Sequence, residues 1–278
     1  NMTYIWTSIL IVQKQLPVGS LIILSIIVPM YYSALSELSK ANVDYKSLST
    51  SNDFIKQELD ANQEESGGKE LDSIETISFE SPTFSINEKT FSYPLNLSVK
   101  KNDIVYIEGD SGSGKSSLLR LLLKFRKSTG IRINEIKIDE ICNSSLRNKI
   151  TYISQTPTIL STSLENNIGM GHELSEEEKV FIEKSGILNS ILKEKSWDSI
   201  LYENGANLSG GEKQRIAICR VIITNADLYI LDESISNIDK ESAIDIMEFL
   251  TENINDKIIL FTTHDKYFKK YANKVITI

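Results

Sequence analysis

Cysteine, histidine and proline are all scarce in this 278-residue chain, with 2, 2 and 5 copies. Cys142 and Cys219 stand far apart in no metal-like spacing. That excludes a disulfide framework and a zinc module and leaves two reduced thiols. With 13 glycines, 41% hydrophobic and 24% charged residues, a collagen-like or disordered chain is also excluded. Positive charge is in deficit: 30 Lys and Arg against 38 Asp and Glu give a net charge of −8. No electrostatic footprint for nucleic acid is therefore expected. The length suffices for one large domain or two small ones.

Charge is almost missing from the N-terminus, where Lys14 is the one charged side chain before Glu37. The run that includes Leu21 to Leu35 would form a helix about 33 Å long at ~1.5 Å per residue, matching the hydrocarbon thickness of a bilayer. A membrane span is expected there in preference to a buried core helix, with Pro29 inside it. Pro17 and Gly19 mark a turn after an earlier apolar stretch, Met2 to Val12, which is too short to span alone. A basic n-region and a small-residue cleavage site are both lacking, which argues against a signal peptide. Apolar residues continue at helical spacing (Tyr31, Leu35, Leu38, Tyr45, Leu48), so the helix is expected to run on into water. A polar, net-acidic stretch with Gly67 and Gly68 then reads as a linker. The expected organisation is a membrane part at 1–59, a linker at 60–73 and a globular domain at 74–278.

Within that domain strands and helices alternate. Expected strands are Ile74–Phe79, Leu95–Val99, Ile104–Ile107, Ile131–Ile138, Ile150–Ser154, Leu228–Leu231 and Ile258–Phe261. Helices are expected at Ser116–Phe125, within 173–193, at Gly211–Ile223 and at Lys240–Leu250. The pattern implies a mostly parallel sheet covered on both faces.

Gly109-Asp-Ser-Gly-Ser-Gly-Lys-Ser116 follows a buried strand and opens a helix. Its glycines let successive backbone N–H groups form an anion nest; Lys115 reaches β- and γ-phosphates, and the Ser116 hydroxyl suits Mg²⁺. Leu228-Tyr-Ile-Leu-Asp-Glu233 places Asp232 at a strand end, suited to hold Mg²⁺ through water, and Glu233 beside it, suited to accept a proton from attacking water. Leu208-Ser-Gly-Gly-Glu-Lys-Gln-Arg215 makes a second anion-binding helix start. One phosphate loop needs one cradle, so the second implies a nucleotide held by another domain.

With these residues in this order, residues 74–278 resemble the nucleotide-binding domain of ATP-binding cassette (ABC) proteins, the exporter type in particular. Gly109–Ser116 matches Walker A, and Gln155 in Tyr152-Ile-Ser-Gln155 the Q-loop glutamine. Leu208-Ser-Gly-Gly-Glu212 matches the signature, Asp232 and Glu233 the end of Walker B, Ser236-Asn-Ile-Asp239 the D-loop, and Thr262-Thr-His264 the switch histidine. The resemblance implies an α/β P-loop NTPase fold. A mostly parallel central sheet joins an antiparallel β subdomain and an α-helical signature subdomain over 156–210, preceded by one or two transmembrane helices. It implies ATP and Mg²⁺ as ligands. Gly109, Asp110, Ser111, Gly112, Ser113, Gly114, Lys115, Ser116 and Ser117 surround the phosphates, and Ser116, Gln155 and Asp232 the metal. Glu233, His264 and Lys115 act in hydrolysis. Ser209, Gly210, Gly211 and Glu212 face the ATP of a second cassette, and Asp239 belongs to the D-loop. The partners implied are that second cassette, transmembrane helices and the membrane, with the nucleotide domain in the cytoplasm.

This sequence departs from the family pattern in places. The run Phe79-Glu-Ser-Pro82 carries Ser81 where an aromatic residue usually stacks on adenine, leaving Phe84, Tyr93 or Phe79 as substitutes. Ser199-Ile-Leu-Tyr-Glu-Asn-Gly205 lacks an early glutamate common in exporters. The function implied is the ATP-hydrolysing subunit or fragment of an exporter. The alternatives are a soluble ABC ATPase acting on ribosomes or DNA, against which residues 15–36 speak, and a regulatory half that binds ATP without turnover, against which Glu233 and His264 speak.

Overall fold

The computed structural model describes residues 2–61, 68–86, 89–253 and 255–278. They fall into two compact units, Asn1–Glu65 and Ser66–Ile278. The first unit holds α1 (Met2–Val12) and α2 (Gly19–Ala61), separated where Pro17 and Gly19 interrupt the apolar run. At 43 residues α2 is continuous through Pro29 and extends beyond the apolar segment into the polar one. Its most apolar 18-residue window has a mean hydropathy of 1.7 and buries no residue. Among the described residues it is the one helix long and apolar enough to cross a membrane.

The second unit opens with an antiparallel sheet. β1 (Thr76–Ile86) pairs on one side with β2 (Lys89–Ser92) and β3 (Asn96–Lys100). β4 (Ile104–Glu108) leads through the glycine loop into α3 (Lys115–Leu121), and β5 (Ser128–Ile133) returns to pair with β1 and with β6 (Ile136–Lys137). Then come α4 (Asn143–Arg147), β7 (Ile150–Ile153), α5 (Leu164–Gly169), α6 (Glu176–Lys184), α7 (Asn189–Leu192) and α8 (Gly210–Ile223). β8 (Leu228–Asp232), α9 (Lys240–Asn253), β9 (Ile258–Thr262) and β10 (Lys274–Thr277) complete the unit. The second sheet is parallel, in the order β10-β4-β9-β8-β7. β8 and β9 are buried at all five positions, which is why they read as unbroken apolar runs. Val105 and Ile107 of β4 enter a core shared with the antiparallel sheet and α3, while Tyr106 enters a core shared with α8 and α9.

Three expectations are corrected. Strand β1 does not stop at Phe79; it shifts register between Phe79 and Thr83, where Ser81 takes a φ of 49°, and continues to Ile86. The helix after the glycine loop ends at Leu121, and the chain turns at Lys124 with a φ of 53°. The single strand expected over 131–138 is a hairpin, because Asn134 and Glu135 both adopt positive φ, 48° and 65°. Of the expected linker, 62–67 lies outside the described residues; beyond it Lys69 bridges to Ile141 and Leu71 is buried.

Candidate functional site

The loop after β4 is shaped by two glycines at positive φ, Gly112 at 81° and Gly114 at 100°. At Gly114 a Cβ would come within 2.7 Å of the Tyr93 hydroxyl, which donates a 2.8 Å hydrogen bond to the Gly114 carbonyl. Lys115 is nearly buried, and its ammonium donates to the carbonyls of Gly109 and Asp110 at 2.9 and 2.8 Å. Ser113 Oγ is buried without a hydrogen-bond partner. Ser111 is exposed at the rim, and Ser117 sits beside the Tyr93 hydroxyl. Donors on a glycine-rich backbone, an ammonium group and an unpaired hydroxyl make a donor set that fits a polyphosphate.

Asp232 ends β8 at 1% exposure. Its Oδ1 accepts from Ser116 Oγ (2.9 Å) and Thr262 Oγ1 (3.2 Å), and its Oδ2 from Tyr152 OH (3.0 Å). Burial pushes the Tyr152 phenol up, with Arg120 opposing, so it stays a donor at neutral pH. Ser116 hydroxyl and Asp232 carboxylate are hard oxygen groups, and magnesium asks only one or two such protein groups when phosphates supply the rest. The pair therefore fits the ion. Among the described residues no group of three or more His, Cys, Asp or Glu is suited to a metal. Gln155, expected at the metal with that pair, is engaged elsewhere: its Nε2 donates to Glu233 Oε2 at 2.6 Å.

Glu233 is the third centre. Its backbone has a φ of 52°, an expensive conformation for a residue with a Cβ. Thr262 Oγ1 holds its N–H at 2.9 Å and Ser236 Oγ donates to its carbonyl at 2.8 Å. With Gln155 on one carboxylate oxygen, His264 Nε2 lies 3.0 Å from the other. Three sequence-predicted residues thus converge on one another.

The start of α8 is a capping box. Ser209 Oγ accepts from the Glu212 N–H, and Glu212 Oε2 accepts from the Ser209 N–H at 2.7 Å. A cavity of about 820 Å³ opens there, lined by Ser209, Gly210, Gly211, Arg215, Asn237 and Asp239 among others and by no residue of the phosphate loop. Asp239 receives the Ser242 N–H at 2.9 Å, capping α9, and Arg215 at 3.0 Å; the first of these holds its carboxyl below the usual range.

Sequence reasoning missed Gln214, which is fully buried. Its Oε1 accepts the Asn237 N–H at 2.9 Å, while its Nε2 faces the Gln155 and Glu233 carbonyls at 3.4 Å. The available signal was a polar residue on the apolar face of α8. Of the aromatics suggested for adenine, Phe79, Phe84 and Tyr93 are all buried and none offers an exposed ring. Phe91, 45% exposed, stacks on Phe84 at 5.3 Å.

The family model described as ABC transporter matches residues 93–236, more than half of the chain. Over 214 residues the chain is 35% identical to a "probable ABC transporter ATP-binding/permease protein" of Haemophilus influenzae, covering 75% of this chain and 39% of that protein. It is 32% identical over 280 residues to ATP-dependent lipid A-core flippase 2 of Colwellia psychrerythraea, covering 96% of this chain and 47% of the flippase. The chain thus spans less than half the length of these relatives. A bacterial Atm1-family ABC exporter with ATP bound shares the fold, with a TM-score of 0.76 at 21% identity over 95% of this chain and 48% of the other.

Proposed function

The chain belongs to the ABC transporter family, and from that premise we propose that it binds and hydrolyses ATP as part of an exporter. Residues 1–59 are its end of a membrane domain and 74–278 its cytoplasmic cassette. The observation that carries the reading is the junction at Glu233, where Gln155 and His264 each hold one oxygen of a buried acid next to the phosphate loop. A soluble ATPase is the weaker reading, because α2 leaves a bilayer-length apolar segment unburied.

The triphosphate lies along Gly109–Ser117. Lys115 exchanges the two carbonyls it now holds for β- and γ-phosphate oxygens, a stronger pairing for an ammonium group. Ser116 and Asp232, joined by Gln155 once it leaves Glu233, would hold Mg²⁺. When bound, that ion offsets charge on the β- and γ-oxygens. Glu233 orients the attacking water and takes its proton onto the carboxylate, while His264 turns from Glu233 to the γ-phosphate. Ser209, Gly210 and Gly211 contact the ATP of a second cassette, so closure depends on the γ-phosphate and is released on hydrolysis.

The test is phosphate release by the full chain in detergent. Glu233→Gln is expected to lower turnover by at least about a hundredfold, the order of a general-base contribution, while ATP binding persists. Undiminished phosphate release by this variant removes Glu233 from the chemistry.

A further inference from the structure

Asp232 is held from two sides, by Ser116 and Thr262 on one carboxylate oxygen and by Tyr152 on the other. Tyr152 sits on β7, next to β8, with its Cα opposite Ile230. Its hydroxyl donates to Asp232 Oδ2 at 3.0 Å, and Arg120 Nε donates to that same hydroxyl at 3.4 Å. Arg120 lies four residues after Ser116 on α3, so the two share a helix face. Ser116 reaches Asp232 Oδ1 directly, and Arg120 reaches Oδ2 through Tyr152. The result is a closed clasp: phosphate-loop helix, tyrosine, carboxylate, and back to the helix. Thr262 adds a second donor on the Oδ1 side.

We propose that Tyr152 is a positioning residue for the Asp232 carboxylate and, through it, for the Mg²⁺ that accompanies ATP. This rests on the ATP reading of the site. The physical argument is rotational. A carboxylate at 1% exposure needs donors on both oxygens, and Oδ1 already has two hydroxyls. The Tyr152 hydroxyl satisfies Oδ2 and stops the carboxylate from swinging away from Ser116, where the ion's ligands must meet. The phenol would act on the ion through the carboxylate: its proton goes to Asp232 and its oxygen accepts from Arg120.

The test uses the full chain in detergent with a fluorescent ATP analogue, titrated first with EDTA and then with increasing Mg²⁺. Tyr152→Phe keeps the ring and removes the hydroxyl. The Mg²⁺ concentration that half-saturates the tightening of nucleotide binding is expected to rise about tenfold, the size of a lost hydrogen bond to a charged group. Metal-free nucleotide affinity should stay within about twofold, since no phosphate contact is lost. Arg120→Met, which loosens the phenol without removing it, should shift the Mg²⁺ requirement in the same direction by a smaller factor, and carries the test if Tyr152→Phe does not fold. Coincident Mg²⁺ curves for wild type and variants overturn the proposal, as does an equal loss of metal-free binding, which would mark a packing role. Absence of nucleotide binding by the wild type itself would instead overturn the ATP reading beneath it.

Discussion

Gln214 and the two cysteines let the site and its packing be tested one side chain at a time. The Gln214 amide ties α8 to the chain after Glu233, and Leu has nearly the same volume without the polar ends. Gln214→Leu should leave nucleotide binding intact but lower ATP turnover by roughly tenfold, because the Asn237 N–H then loses the side-chain acceptor that fixes the chain after Glu233. A phosphate-release assay beside a binding titration checks it. For the thiols, burial pushes Cys219 up, so it stays protonated and unreactive. Cys142 is half-buried, and a contact with Ser144 holds it below the ordinary thiol range. Alkylation of the native protein near pH 8 should therefore modify Cys142 and spare Cys219 until denaturant is added, as mass spectrometry of the peptides would read. What the sequence disclosed at this scale was whatever follows from short spacing. Gly109–Ser116, Ser209–Glu212 and Asp232-Glu233 declare their chemistry within eight residues. Tyr152, Thr262 and Gln214 do not, because each meets its partner only through strand order or helix docking, across 80, 30 and 23 residues.

Among the elements, α8 and α9 meet at the capped end where the signature glycines lie. A Cβ on Gly211 would stand 2.9 Å from the Asn237 carbonyl oxygen, whereas one on Gly210 finds nothing nearer than 3.8 Å. Gly211→Ala must push the Asn237 backbone aside and should lower the melting temperature of the nucleotide-free chain, while Gly210→Ala should leave it unchanged; differential scanning fluorimetry separates them. Asp239 plays a structural part as the cap of α9, and Asp239→Ala should cost about 1 kcal/mol, with Asp239→Asn retaining most of the cap. Because the folded carboxyl is held below its unfolded value, the charge-dependent part of this cap is fully present above the ordinary carboxylate range and is lost as pH falls through the folded value. Elements with a strong period or a buried run were legible: α8, β8 and β9 fall within a residue of expectation. The 131–138 hairpin was not, because Asn134-Glu135 lacks the glycine that normally announces such a turn, and β1 was cut short because Ser81-Pro82 reads as a stop when it is a bulge.

On the scale of the whole chain, the decisive fact is that the phosphate loop and the signature line separate surfaces. The cavity at Ser209 and Gly210 includes no phosphate-loop residue, so on the proposed reading each copy would contribute two half-sites. If hydrolysis requires both halves around one nucleotide, the active species holds two cassettes, and its abundance follows mass action. Below the dimerisation constant, the ATPase rate of the full chain should rise with about the second power of its concentration, then turn linear once pairing saturates. Mixing supplies the sharper form of the measurement. A Ser209→Arg chain keeps its own phosphate loop, and a Lys115→Ala chain keeps its own signature; each alone should be inactive. Together they restore one intact composite site in each mixed pair, with the loop of one facing the signature of the other. Recovery of phosphate release on mixing, absent from either chain by itself, is the expected outcome. A rate strictly proportional to concentration, with no recovery on mixing, would mean that one copy completes the chemistry alone.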